Sequence, residues 1–257
     1  MIRRYNRRMS TLNRMRTRLR RETFRPTLLS AVIGSSFISR RGLFYAIKEM
    51  APLITGNVLD FGCGSKPYEA LFTEASGYIG VDLKVSGHDH IDSKVDVYYD
   101  GRVLSFEDCQ FDAVVSFEVF EHVFNLPDIL AEIHRVTKKS GHLLISIPFA
   151  WSEHEIPYDY ARYTSFGIAH ILKSNGYEVL EVRKTTTYLL TIFQMFMDYL
   201  AQLRPRSWIL RPLLQLCLIF PLTLIAYAVN AVLPERYGSF CNMVVLARKC
   251  ATRSSTA

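Results

Sequence analysis

The stretch Val58-Leu59-Asp60-Phe61-Gly62-Cys63-Gly64 constrains this chain more than any other. A short apolar run closes on an acid and then on two glycines spaced by one residue. Such a run predicts a buried strand, and the glycines let the following loop approach a ligand with no Cβ in the way. In an open parallel sheet, ligands sit beyond the carboxyl ends of the strands, where the strand order reverses. The segment therefore predicts a cofactor site of the nucleotide type on an α/β fold.

The pattern around it agrees. Strands are expected at residues 57–61, 78–83, 95–100, 111–117, 142–148, 177–186 and 242–248. Helices are expected at 67–74, with Ser65 as its cap, through 129–137 and at 166–174, with a turn over 138–141. Alternating strands and helices imply a parallel sheet covered on both faces. The expected fold is α/β, a Rossmann-like doubly wound, mostly parallel seven-stranded sheet with an antiparallel last strand. A hydrophobic helical insertion is added to it.

Three regions follow: a basic amphipathic arm at 1–40, a cofactor-binding domain at 41–187 plus 238–250, and the apolar insertion at 188–237. The formal net charge is +7, and it is unevenly spread. Residues 1–25 hold ten Arg and one Glu, which is +9, leaving 21 basic against 23 acidic residues elsewhere. The folded body is slightly acidic, which argues against a nucleic-acid partner. In the arm Ile2, Tyr5, Met9, Leu12, Met15 and Leu19 recur at helical spacing with most arginines opposite, a pattern suited to an anionic membrane surface. A mitochondrial transit peptide, an RNA-binding arm and a disordered tail share that composition. The five cysteines are scattered with no CxxC pair, so neither a zinc pattern nor a disulfide framework is expected, and a reducing compartment is. His88, Asp89, His90 and Asp92 read as a solvated loop, and no metal site is expected.

The insertion is nearly all apolar over 189–203 and carries no charge over 213–233. Twenty-one such residues make roughly 30 Å of helix, about the thickness of a bilayer core. Buried helices packing on the sheet or on a second subunit would read the same way. The chain must return to the sheet for its last strand, which one crossing cannot achieve. Arg204, Arg206 and Arg211 also disfavour a connection deep in lipid. Helices lying along the interface fit best, placing the protein in the cytoplasm, peripheral or monotopic on the inner face of a membrane.

The cofactor is narrowed by what is missing. Asp82 ends the second strand, 20 residues after Gly62, where an acid accepts hydrogen bonds from ribose hydroxyls. A dinucleotide fingerprint needs a third glycine at position 67, and this chain has Pro67. Asp60 would repel a pyrophosphate but attract the ammonium of an amino-acid moiety.

With these motifs the chain resembles the class I S-adenosylmethionine-dependent methyltransferases of the type 11 kind, over about residues 56–186. "VLDFGCG" is similar to that family's first motif, "YIGVDL" to its second and "FDAVVSFEVFEH" to its fourth-strand motif. "LAEIHRVTKKSGHLLISIP" is similar to its run into the fifth strand. Lys66 stands where the family has a further glycine. The resemblance implies S-adenosylmethionine as cofactor, with Asp60, Gly62, Cys63 and Gly64 at its methionine end and Asp82 and Leu83 at the ribose. Asp100 and Gly101 would lie near the adenine, and Phe117 and Glu118 beside the sulfonium.

After the fifth strand, "PFAWSEHEIPYDYARYTSFG" must lie over the same edge of the sheet. His154 is the first candidate for a general base, because an imidazole titrates near neutrality, with His122 second and Asp159 in the same cluster. Tyr158, Asp159, Arg162 and Tyr163 could equally be a structural clamp. The expected activity is methylation of an oxygen on a glycan or lipid-linked intermediate at a membrane surface. A quinone or lipid methyltransferase, a nucleic-acid methyltransferase and a non-catalytic cofactor-binding module are the alternatives. The Asn/Asp-Pro-Pro-aromatic motif used on base amines is missing after the fourth strand, which counts against nucleic acid.

Overall fold

The computed structural model describes residues 22–84 and 93–250, apart from 204, 206, 208 and 209. The basic pattern over 2–20 and the His88–Asp92 loop lie largely or wholly outside the described residues. Seven strands form one sheet: β1 (Gly56–Phe61), β2 (Ala75–Leu83), β3 (Val97–Tyr99), β4 (Phe111–Phe117), β5 (Thr137–Pro148), β6 (Tyr177–Lys184) and β7 (Asn242–Lys249). Their order is β3-β2-β1-β4-β5-β7-β6. All neighbours pair in parallel except β7, which runs antiparallel to β5 and β6. The sheet order reverses between β1 and β4, so the cleft beyond their carboxyl ends is the place where such a fold binds a ligand.

Alternation along the strands builds two cores. Leu59 and Phe61 of β1, Leu143, Ile145 and Ile147 of β5, and Met243 and Val245 of β7 face one side. There they meet α3 (Leu126–Val136) and α4 (Ser165–Ser174) through Ile129, Ile133, Ile168 and Leu172. Val58, Leu144, Val244 and Leu246 face the other side, against Leu43, Ile47 and Met50 of α2 (Phe37–Met50). A short helix α1 (Leu28–Ile33) precedes α2, and its Thr27 cap accepts from the Leu29 amide at 3.2 Å.

Between β6 and β7 stand α5 (Tyr188–Gln202) and the long helix α6 (Leu210–Val232). They form a third cluster with α2 through Ile38, Leu190, Met197, Ile219 and Ala226. Residues 215–219 of α6 wind as a π-turn just before Pro221. Pro221 lacks an amide hydrogen and its ring would crowd the carbonyl one turn back, and a wider turn accommodates both.

Two expectations need correction. Residues 67–74 are not a helix: only a single 3-10 turn forms, Glu69–Leu71. The segment is too short for helix nucleation to be repaid, and Tyr68 and Phe72 instead pack their rings on Phe117. The turn over 138–141 is an excursion within β5 itself. Thr137 pairs with Phe111 and His142 with Ala113, so four residues bulge between them, with Ser140 at φ 60°.

Candidate active site

The chain leaving β1 turns across the end of β2. The amides of Gly62 and Cys63 both donate to Val81 O, at 2.8 and 3.2 Å. Gly62 has φ 73°, and a Cβ there would lie 2.5 Å from Cγ2 of Val119, so only glycine fits. Gly64 has φ 47° and nothing within 4 Å of a Cβ position, because it faces open space. Its amide donates to Asp82 Oδ2 at 2.9 Å, while Asp82 Oδ1 accepts from Leu83 N at 2.7 Å. Both Asp82 oxygens are thus oriented by backbone, and each keeps a lone pair for a ligand hydroxyl.

Lys66, at φ 51°, takes the left-handed conformation a glycine would take more cheaply, by roughly 1–2 kcal/mol. Its ammonium is anchored on Asp96, whose Oδ2 also accepts from Gly80 N at 2.7 Å. The ion pair holds the loop in the shape that a third glycine would otherwise permit.

Two adjoining cavities open above this loop. One, of about 270 Å3, is lined by Phe61, Leu83, Tyr99, Gly101, His122 and Tyr158. The other, of about 420 Å3, is lined by Asp60, Gly64, Phe117, Trp151, His154 and Asn242. They meet at Gly62, Asp82, Glu118, Val119 and Glu155, which line both. The two lobes divide as an apolar pocket beside the β2 and β3 ends and a polar one beside β1 and β4. A small molecule with a flat apolar end and a charged end fits that division.

Asp60 is 3% exposed and accepts from Tyr78 Oη at 2.8 Å. Burial pushes its carboxyl up to about 7, against the opposing hydrogen bond from Tyr78 and the charge of Lys66. Glu118 ends β4 at φ 56° and is held on all sides. Ser146 Oγ donates to its Oε1 at 2.8 Å and Asn242 Nδ2 to its Oε2 at 2.7 Å. Burial raises this carboxyl as well. Behind it Glu121 is wholly buried, and burial together with the charge of Glu118 holds it well above the usual carboxylate range.

The segment after β5 folds back over this edge. His122 Nδ1 lies 2.8 Å from the Tyr158 carbonyl oxygen, and the His122 and His154 rings meet edge to face at 4.8 Å. Asp159 accepts from the His154 amide at 3.0 Å and pairs with both terminal nitrogens of Arg162. Those bonds to Arg162 hold its carboxyl down at about 2, despite partial desolvation.

Of the residues expected at the cofactor, Asp60, Gly62, Cys63, Gly64, Asp82, Leu83, Gly101, Phe117 and Glu118 all line the two cavities. Asp100 does not: its Oδ1 accepts from the amides of Arg102 and Val103 at 2.9 and 3.0 Å and shapes the turn that presents Gly101. Of the residues expected in catalysis, His122 and His154 line the cavities. Asp159 stands behind His154 with its oxygens committed to Arg162, the place of a positioning residue. Tyr78, Tyr99 and Asn242 carry no signal in the sequence, because burial and register alone bring them here, whereas Trp151 belongs to the segment expected over this edge. Glu121 lies within "FDAVVSFEVFEH", where its neighbours in sequence point to no role for it.

The family description "Methyltransferase domain" matches residues 12–182. A curated protein of Mycolicibacterium smegmatis, described as a probable S-adenosylmethionine-dependent methyltransferase, is 27% identical over 137 residues, 51% of each chain. The chain thus spans about half the length of that relative. Among solved structures, a Haloferax volcanii chain crystallised with the Trm112 methyltransferase activator superposes with TM-score 0.52 at 17% identity, covering 87% of this chain and 97% of its own. A SAM-dependent methyltransferase of Thermotoga maritima gives 0.52 at 16% identity, covering 93% and 96%. One from Mesorhizobium loti gives 0.51 at 15%, covering 81% and 98%. At these identities the structural likeness shows the fold. The matched family model and the strand order together identify the chain as a member of the methyltransferase-domain family, built on the class I fold that takes S-adenosylmethionine as its cofactor.

Proposed function

We propose that this protein transfers the methyl group of S-adenosylmethionine to an oxygen of a glycan or lipid-linked acceptor at a membrane surface. The observation that carries the reading is a contact. Ser152, beside the cavity-lining Trp151 and His154, hydrogen bonds to Asp198 of α5, and Gln202 Nε2 reaches Ser152 Oγ at 3.4 Å. The apolar helices therefore abut the segment that closes the acceptor side of the cleft.

Those helices turn a broad apolar face outward. Ile192, Phe196 and Tyr199 of α5 and Leu213, Leu216 and Leu224 of α6 are all exposed. Residues 210–232 are long and apolar enough to cross a membrane, with mean hydropathy 2.0, and only 22% of the most apolar window is buried. Both ends of the insertion join strands of one sheet, so the helices are read as lying along the interface. Gln215 Nε2 of α6 donates to Ala31 O of α1 at 3.4 Å. Helix α1 thus packs beside the apolar helix, and a basic sequence preceding it suits anionic lipid.

The cofactor supplies an electrophilic methyl group on a sulfonium when it is bound. The protein's part is to hold and orient. Asp60 would receive the ammonium of the methionine moiety, Asp82 the ribose hydroxyls, and the apolar lobe around Leu83 and Tyr99 the base. Glu118 and Phe117 border the place of the sulfonium. The acceptor hydroxyl would lie toward Trp151, with His122, His154 and Glu155 as the polar groups that could take its proton. Asp159 and Arg162 hold His154 in place.

The reading is tested by incubating the protein with labelled S-adenosylmethionine and host extract, then separating organic from aqueous phases, with Asp82→Ala as control. Label in the organic phase, absent from the control, is the expected result. Label confined to the aqueous phase would remove the lipid-linked acceptor and leave α5 and α6 as a contact surface of another kind.

A further inference from the structure

We infer that Glu121, His122 and His154 form a binding site for a divalent transition-metal ion, as a two-histidine, one-carboxylate centre at the junction of the two cavities. The inference goes beyond methyl transfer and stands without it; with the ion bound, His122 and His154 would ligate it and would not take the acceptor's proton.

The geometry is that of a ligand set lacking its centre. His122 Nε2 lies 3.7 Å and His154 Nε2 4.0 Å from Glu121 Oε1. One ligand atom from each of the three residues lies within 4.8 Å of the others. An ion at ~2.1 Å from imidazole and carboxylate ligands would draw such atoms to separations of roughly 3.0–3.4 Å. Small side-chain rotations close that gap. Glu155 Oε2, 3.8 Å from His122 Nε2, faces the same point and offers a fourth oxygen.

The hydrogen bonding points the same way. Each imidazole uses Nδ1 toward an oxygen: His122 toward Tyr158 O at 2.8 Å, His154 toward Asp159 Oδ2 at 3.2 Å and Ser152 O at 3.3 Å. Arg162 Nη2, at 3.4 Å from His154 Nδ1, is committed to Asp159 at 2.6 Å. With Nδ1 as the donor, each Nε2 would present a lone pair toward Glu121. A carbonyl or carboxylate behind the far nitrogen is the arrangement that orients a metal-binding histidine and makes it more basic.

Glu121 is the independent sign. Its side chain is 0% exposed, yet neither Oε1 nor Oε2 has a hydrogen-bond partner, and neither has His122 Nε2. Buried carboxylate oxygens without a donor are costly and rare. Two imidazole nitrogens and a buried carboxyl group facing one point would be satisfied together by a cation between them. Nitrogen and carboxylate ligands in this ratio select zinc, manganese, iron or cobalt over calcium or magnesium. At this point an ion would have open positions toward the cleft.

The test uses full-length, untagged protein stripped with chelator and titrated with Zn2+, Mn2+ or Co2+ by calorimetry, with the Co2+ absorption spectrum as a structural readout. Wild type should bind one ion tightly enough to raise its Tm. Glu121→Gln and His154→Gln should each weaken it more than 100-fold. Asp159→Asn, which touches no ion, should weaken it about 10–100-fold. Circular dichroism in chelator distinguishes a lost site from a lost fold. Should Glu121→Gln fail to fold, the partly exposed His154→Gln carries the decision. Failure of wild type to bind any of the three ions up to 100-fold molar excess would overturn the inference. Binding unchanged in His154→Gln would overturn it too, by placing the ion elsewhere.

Discussion

Tyr78 on β2 donates its hydroxyl hydrogen to Asp60 Oδ2 on the neighbouring β1 at 2.8 Å, from two residues before Gly80, the direct partner of Asp60. This bond lets a carboxyl sit 3% exposed at the head of the cofactor loop. Burial, reinforced by the charges of Asp82 and Glu69, outweighs the Tyr78 hydrogen bond and the Lys66 charge and places its pKa at about 7.

A pH dependence follows, with a definite sign. The folded value lies above the unfolded value of 3.8, so the native state holds the proton more tightly. The stability this confers is full below about pH 4 and is lost as pH rises through 7. About three pKa units correspond to ~4 kcal/mol. Asp60→Asn should therefore match wild type in Tm near pH 4 and exceed it at pH 8, in scans at both values. Cofactor binding should run the opposite way in pH. An ammonium favours the ionised carboxylate, so wild-type affinity measured by calorimetry should weaken up to ~10-fold per pH unit below 7, while Asp60→Asn loses that dependence.

The two loop glycines should fail differently. Gly62→Ala places a Cβ 2.5 Å from Val119 with φ 73°, so both the fold and the cofactor loop are strained. Gly64→Ala meets nothing within 4 Å and costs only the left-handed penalty of about 1–2 kcal/mol. Its methyl group, however, projects into the cavity. Gly64→Ala should lower Tm by only about 2–8 °C and lose about tenfold or more in S-adenosylmethionine affinity.

Arg162 is the cation behind the histidines, paired to Asp159, whose side chain is 4% exposed. Removing it as Arg162→Met strands that carboxylate and withdraws positive charge from Glu118 and Glu121. Chemical denaturation should show a loss of about 2–3 kcal/mol, below the 3–5 of a fully buried pair because Arg162 retains some solvent. Arg162→Lys should recover less than half, since one ammonium cannot replace the forked contact.

Leu144 tests the sheet itself. It is 0% exposed on β5, between Val115 of β4 and Leu246 of β7, on the face covered by α2. Leu144→Ala should cost about 2–5 kcal/mol and lower Tm by roughly 5–15 °C.

Much of this was legible in the chain. Period-two and period-3.6 patterns are local, so the seven strands and the helices over 126–136, 165–174 and 188–202 fall close to where the sequence places them. The glycine loop and Asp82 are also local signals, since a β1–loop–β2 unit needs those residues at that spacing. The 67–74 segment misleads because its apolar residues answer to Phe117 across the loop rather than to a helix of their own.

What the sequence determined by itself was the fold class, the glycine loop after β1 and the methyltransferase family they imply, because each rests on residues near one another along the chain. What only the tertiary structure decided was which polar groups meet. Glu121 and His122 lie 32 residues or more from His154, so no spacing rule unites them, and the sequence accordingly promised no metal. Asp159 moved behind His154 for the same reason, since Arg162 takes its oxygens only once the segment after β5 has folded over the sheet edge. Burial of Glu121 is a property of the packed cleft, and a carboxylate's partners exist only when the strands have brought them there.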